Sequence, residues 1–304
     1  MKVLFFGTPY FAEVILKGLF QSKHQVVGVV CQTDKPAGRG NKLVSPHIVS
    51  LARENEIDVF QFEKLSEHIE DFKKIDYDIA VTASYGKILP KALLDLKLCI
   101  NVHPSMLPKY RGSTPIQSAL LNGDAMTGVS IMKTEVGMDD GDIYAQEEVQ
   151  ILPEDDYISL IEKTSNVGLK LLIETLDKIE SGTAVRVAQN NNQATYVNLI
   201  EKQDGLLDFN MPVESLVNKV RAFVENPVAF LFIGGDRIKV YKAKVADMCS
   251  CANLGEIIEN KKRFLIQARG GVFEILKCQV AGGKVLDAAS FLNGYRFKAK
   301  VVDE

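Results

Sequence analysis

Asn101 and His103 stand two residues apart at the end of the apolar run Cys99 to Val102. On an extended segment residues i and i+2 project to the same side, so a carboxamide and an imidazole converge there on one small volume. At the end of a buried strand that pair suits general acid–base chemistry, against the plainer alternative of a histidine that packs or hydrogen-bonds in the core. The other three histidines offer less. His24 and His68 lie among charged or polar neighbours and read as surface residues, and His47, between Pro46 and Ile48, has no acid or base partner nearby in sequence. A second constellation, Val136-Gly137-Met138-Asp139-Asp140-Gly141-Asp142, reads in isolation as an acidic, glycine-rich turn between strands. It lacks the spacing and closing glutamate of an EF-hand, so no metal is expected.

These residues need elements to position them. Val3 to Phe6, a turn at Gly7-Thr8-Pro9, the amphipathic stretch Phe11 to Phe20 and the apolar run Val26 to Val30 form a β-α-β opening. Further strands are expected at Tyr77 to Ala83, Cys99 to Val102 and Val129 to Met132, with helices at Ser45 to Asn55, Lys91 to Leu96, Ile116 to Asn122 and Ile158 to Ile179. Alternation of this kind predicts an α/β fold with a doubly wound, mostly parallel, Rossmann-like sheet, which binds ligands at the carboxyl ends of its strands. Gly7-Thr8-Pro9, Ser84-Tyr85-Gly86 and His103-Pro104 fall at such ends.

After Gly182 the pattern dissolves into the polar run Gln189-Asn190-Asn191-Asn192-Gln193. From Gly205 short strands alternate with turns such as Gly234-Gly235-Asp236 and Gly270-Gly271, behind one helix over Val213 to Val224, and predict a small OB-like β-barrel. The expected division is residues 1–184 for the chemistry, 185–204 as linker and 205–304 as the barrel. No internal repeat is evident.

The chain has 304 residues, 46% hydrophobic and 25% charged, the composition of an ordinary globular protein. Its amino-terminal apolar run breaks at Gly7-Thr8-Pro9 and does not read as a signal peptide, and no run is long enough for a membrane helix. Five scattered cysteines suit reduced thiols in a cytoplasmic protein. Residues 205–304 hold 15 lysines and arginines against 11 acids, whereas the net charge overall is −3. A basic C-terminal third is the direction expected of a module that holds a polyanion.

The stretch Asn101-Val102-His103-Pro104-Ser105-Met106-Leu107-Pro108-Lys109-Tyr110-Arg111-Gly112, with Pro115 and Ile116 after it, resembles the signature of folate-dependent formyltransferases. Phe6-Gly7-Thr8-Pro9, Ser84 to Pro90 and Gly137 to Asp142 match in order and spacing, as do Ala194-Thr195-Tyr196, Asp208-Phe209 and Arg221-Ala222-Phe223. The family usually has Leu at Met106, and a Trp-containing turn follows its equivalent of Phe223, where this chain reads Val224-Glu225-Asn226-Pro227 and has no Trp.

The resemblance implies that Asn101, His103 and Asp139 transfer a formyl group from 10-formyltetrahydrofolate to an amine. Ser105, Met106, Leu107 and Pro108, with Ile88, Leu89 and Pro90, would form the wall that holds the folate. The loop Asp34 to Leu43 resembles that of the branch whose acceptor is initiator methionyl-tRNA, with Lys35, Arg39 and Lys42 meeting the acceptor end and the basic C-terminal domain the backbone. A monomer suits that reading. A formyltransferase acting on a nucleotide-linked amino sugar is the close rival. A nicotinamide-dependent oxidoreductase lacks its Gly-x-Gly-x-x-Gly after the first strand, and a tRNA-binding relic would have no need of the trio.

Overall fold

The computed structural model describes the chain apart from residues 38–41, 259, 261 and 304 and the side chains at 37 and 42. It divides into two compact units, one of residues 1–115, 126–151 and 160–198, the other of 116–125, 152–159 and 199–304.

In the first stretch β1 (Lys2–Gly7), α1 (Tyr10–Phe20) and β2 (Gln25–Cys31) are followed by a ribbon of β3 (Lys35–Ala37) and β4 (Lys42–Val44). Next come α2 (His47–Glu54), β5 (Val59–Gln61), α3 (Ile69–Lys74), β6 (Ile79–Ala83) and α4 (Lys91–Leu94). Then β7 (Cys99–His103) and the short β8 (Arg111–Gly112) precede α5 (Pro115–Leu121), β9 (Met126–Lys133), β10 (Ile143–Gln150), the long α6 (Tyr157–Glu180) and β11 (Tyr196–Val197).

The seven-stranded sheet has the order β10-β9-β7-β6-β1-β2-β5. The five strands from β5 to β7 are parallel, and β9 and β10 run antiparallel at one edge, so the expected doubly wound α/β sheet is present. Val3 to Phe6 of β1 have no exposure, as central parallel strands require when both faces are covered. α1 buries Phe11, Ala12, Ile15, Leu16 and Leu19 on one face.

Strand β10 carries no strand signal in its sequence, Ile-Tyr-Ala-Gln-Glu-Glu-Val-Gln, because an edge strand buries little; only Val149 is buried. Two glycines permit close approaches. A Cβ at Gly7 would lie 2.5 Å from Ala12 Cβ and 3.0 Å from Ala83 O, so this glycine serves packing of the first turn. A Cβ at Gly168 would lie 2.8 Å from Val102 Cγ1, so α6 rests directly on the strand that carries Asn101 and His103.

The second unit contains α7 (Val213–Ala222), β12 (Phe230–Ile233), β13 (Asp236–Val245), β14 (Ile257–Ile258), β15 (Phe264–Ala268), β16 (Gly271–Val280), β17 (Leu286–Asp287) and α8 (Ala288–Gly294). Its antiparallel strands run β12-β13-β16-β15-β14, with β17 on β16. Register shifts around Lys242 put bulges into β13, and bulges bend a strand. Arg221 ties α7 to the 152–159 segment by donating to Asp155 O at 2.6 Å and Leu152 O at 2.8 Å. The five cysteines are free, and no helix among the described residues is long and apolar enough to cross a membrane.

Replacing Gly168 by Val overpacks the contact between α6 and β7, and is expected to lower unfolding free energy by about 1–3 kcal/mol. Chemical denaturation measures it, and an unchanged midpoint would contradict the packing account.

Candidate active site

Strand β7 presents Asn101 and His103 from one side, as their spacing requires. Its neighbour β6 places Thr82 beside Asn101, and the Thr82 hydroxyl donates to Asn101 Oδ1 at 2.8 Å. That bond settles which end of the carboxamide is which: the Nδ2 end points away from Thr82 and lies 3.4 Å from Asp139 Oδ1.

Asp139 comes from the connection between β9 and β10. Because β9 runs antiparallel to β7, this connection starts at the far end of β7, where Thr134 N–H donates to Cys99 O at 2.8 Å. It then folds back along β7 to bring the Asp139 carboxylate to Asn101 and His103. Asp139 is left-handed, with φ +49°, a conformation that Asp tolerates better than most residues but still at a cost. One carboxylate oxygen, Oδ2, accepts from Gly112 N–H at 2.9 Å, and the other, Oδ1, stands 3.8 Å from His103 Nδ1.

His103 is 4% exposed. Its Nε2 lies 3.0 Å from Tyr110 O, and a carbonyl only accepts, so Nε2 carries a hydrogen. Nδ1, on the other side of the ring, faces the Asp139 carboxylate. At 3.8 Å the carboxylate is beyond direct hydrogen bonding, and catalytic contacts that are long without substrate often tighten when it binds.

Three consecutive residues grip the site: Tyr110 through its carbonyl, Gly112 through its amide, and Arg111, between them, through Gln189. Arg111 is 2% exposed. Its guanidinium donates to the neutral oxygens of Gln189 at 3.1 and 2.8 Å, Asn191 at 2.7 Å and Tyr196 at 3.1 Å. Gln189 in turn donates to Asp139 O and Gly141 O, both at 2.8 Å. Within the polar run 189–193 Gln189 has no periodic pattern to mark it, and it reads there as part of a linker.

Among the wall residues, Ser105 is fully buried, its hydroxyl donates to Lys109 O at 2.7 Å, and its carbonyl accepts from Ser130 Oγ at 2.6 Å. Leu107 N–H and Gln146 Nε2 also donate to Ser130 Oγ, at 3.1 and 2.8 Å. The Ser105 to Pro108 turn is therefore fastened to β9, and Leu107 points inward at 4% exposure. Apolar exposure among these residues is greatest at Ile88, 87% exposed, and partial at Met106, Pro90 and Pro108, while Leu89 is buried.

Of the loop cations, Lys35 lies on β3 and its ammonium donates to Gln32 Oε1. Arg39 falls outside the described residues, as does the side chain of Lys42, whose backbone belongs to β4. His24, read as a surface residue, is instead buried at 3% exposure, with Nε2 2.9 Å from Asp177 Oδ1. Charged sequence neighbours misled there, because the acid it meets is brought by α6, far along the chain.

Residues 1–176 match the family described as "Formyl transferase", and residues 199–296 match "Formyl transferase, C-terminal domain". The methionyl-tRNA formyltransferase of Sulfurihydrogenibium sp. is 40% identical over 98% of each chain. That of Coxiella burnetii is 37% identical over 97% of this chain and 96% of its own. Among solved structures, HypX from Aquifex aeolicus in complex with tetrahydrofolic acid superposes with a TM-score of 0.70 at 15% identity, over 98% of this chain and 49% of that one. WlaRD, a sugar 3N-formyltransferase, gives 0.68 at 20% identity over 93% and 99% of the two chains. These structural likenesses extend to the fold, whereas the full-length relatives and the two domain matches in order reach further, and by them the chain belongs to the methionyl-tRNA formyltransferase family.

Proposed function

We propose that Asn101, His103 and Asp139 carry out the formyl transfer to methionyl-tRNA that family membership assigns to this enzyme, with 10-formyltetrahydrofolate as the form of the tetrahydrofolate donor and initiator tRNA as the acceptor. The observation that carries the residue roles is the Asp139 carboxylate, anchored by Gly112 and reaching both Asn101 and His103.

The neutral α-amine attacks the formyl carbon, forming a C–N bond and pushing the carbonyl electrons onto oxygen. Asn101 Nδ2 and an imidazolium at His103 stabilise that oxygen. As the old C–N bond breaks, the imidazolium gives its proton to the donor nitrogen, and the neutral ring then takes up the proton that the new ammonium loses. Asp139 balances the imidazolium and holds its orientation. No acyl-enzyme is required, because the amine is itself the nucleophile.

Ile88, Met106, Pro90 and Pro108 are assigned to the rings of the donor, as apolar side chains with exposed surface, while Ser105, Leu107 and Leu89 lie buried. Lys35, Arg39 and Lys42 are assigned to the tRNA acceptor end. Residues 205–304, with their surplus of positive charge, are assigned to its backbone, and residues 1–184 to the chemistry, with 185–204 joining them. The trio comes from one chain, so a monomer suffices, and an acceptor that is charged tRNA puts the reaction in the cytoplasm.

Three outcomes are expected. His103→Ala and Asp139→Ala each lower kcat by at least about 10²-fold with circular dichroism unchanged; near-normal turnover in either would remove it from the mechanism. Thr82→Val frees the Asn101 carboxamide to rotate, and loss of roughly 1 kcal/mol of orientation corresponds to about a fivefold fall in kcat, read by initial rates at saturating substrates. Arg39→Ala raises the apparent KM for charged tRNA more than that for the folate, and the reverse pattern would sink the loop assignment.

A further inference from the structure

We infer that Gln189 is a positioning residue for the reaction, acting through Asp139 by holding its loop in the conformation that presents the carboxylate to His103. The inference rests on the reading of Asp139 as a catalytic group.

The Gln189 amide uses all of its hydrogen-bonding capacity. Its two N–H groups go to Asp139 O and Gly141 O, both at 2.8 Å. Its oxygen takes two N–H groups from Arg111, at 3.1 and 2.8 Å. Arginine has only donors and the two carbonyls only accept, so the amide has one permitted orientation; rotating it by half a turn would set N–H against N–H and oxygen against oxygen. The carbonyls it holds bracket Asp140, and the first belongs to a residue at φ +49°. A loop in that conformation needs outside bonds to keep it there. Gly112, adjacent to Arg111, meanwhile fixes the carboxylate itself. Backbone and side chain of Asp139 are thus both referred to the Arg111-Gly112 segment, and Tyr110, the residue before it, sets the His103 ring.

The arrangement separates two roles that most substitutions would mix. A glutamate at 189 keeps the length of the side chain and strengthens the contact with Arg111, but turns both donors toward the loop into acceptors that repel Asp139 O and Gly141 O. The expected result for Gln189→Glu is a fall in kcat of about 10- to 100-fold, the scale of misplacing a catalytic group by about an ångström. KM values for the folate and for charged tRNA should stay within about twofold, and the melting temperature within about 3 °C. Gln189→Met, of similar length and without polar atoms, should show a similar loss in kcat with lower stability, and serves if the glutamate variant does not fold.

The decisive measurement is the double variant. If Gln189 acts through Asp139, Gln189→Glu costs little further activity in the Asp139→Ala background, whereas a merely structural residue costs the same in either. Unchanged kcat in both single variants at 189, a loss expressed in KM alone, or full additivity with Asp139→Ala would overturn the inference. An active Asp139→Ala enzyme would instead overturn the reading of Asp139 itself, and the two failures are therefore distinguishable.

Discussion

Everything at this site depends on the connection between β9 and β10 folding back along β7. Two antiparallel neighbours can be joined by a two-residue turn, yet residues 134–142 join these. The extra length is what carries a carboxylate from the far end of β7 to Asn101 and His103. Extra length is also freedom, and a loop of that size on its own would sample many conformations. Binding by Gly112 and Gln189 removes that freedom, so the site owes its carboxylate to the 110–112 segment as much as to the sheet.

The order of the sheet explains why that segment is where it is. β7 leaves the sheet at His103, and the chain turns through Ser105 to Pro108, fastened to Ser130 of β9, before reaching Tyr110. The same polar contacts that close the turn deliver Tyr110, Arg111 and Gly112 to the face of β7. β8 then pairs with β11, which brings Asn191 and Tyr196 to the Arg111 guanidinium. Held by neutral oxygens among the described residues, that guanidinium would be expensive to bury were its hydrogen bonds fewer.

Asn101 and His103 were legible as a pair because the alternation of a strand is a local property that two residues suffice to express. The doubly wound sheet was legible for the same reason, through the apolar runs of β1, β2, β6 and β7. What escaped depends on partners distant in the chain. Asp139 has the look of an ordinary acidic turn until its loop is seen to fold back, and only resemblance to a family singled it out. Gln189 sits in a run whose composition signals exposure, and nothing periodic separates it from its neighbours. His24 is buried by α6, more than 150 residues away in sequence, and β10 hides among polar residues because an edge strand has little core to meet. The second unit takes in residues 116–125 and 152–159 as well as the C-terminal third, an interleaving that hydrophobic pattern cannot express, since it tells which residues are buried and not against what.

The burial of Arg111 also bears on how the enzyme responds to its ionic surroundings. Mobile ions screen exposed charges within about 8–10 Å at physiological salt but have little access to a group with almost no solvent contact. Lys35, assigned to the nucleic acid, is of the first kind, and Arg111, 2% exposed, is of the second. Rising ionic strength would therefore weaken capture of a polyanion long before it loosened the bonds that align the carboxylate. Recruitment of the acceptor and the bond-making step would respond separately to salt, with bulk solvent tuning the first and the folded chain insulating the second.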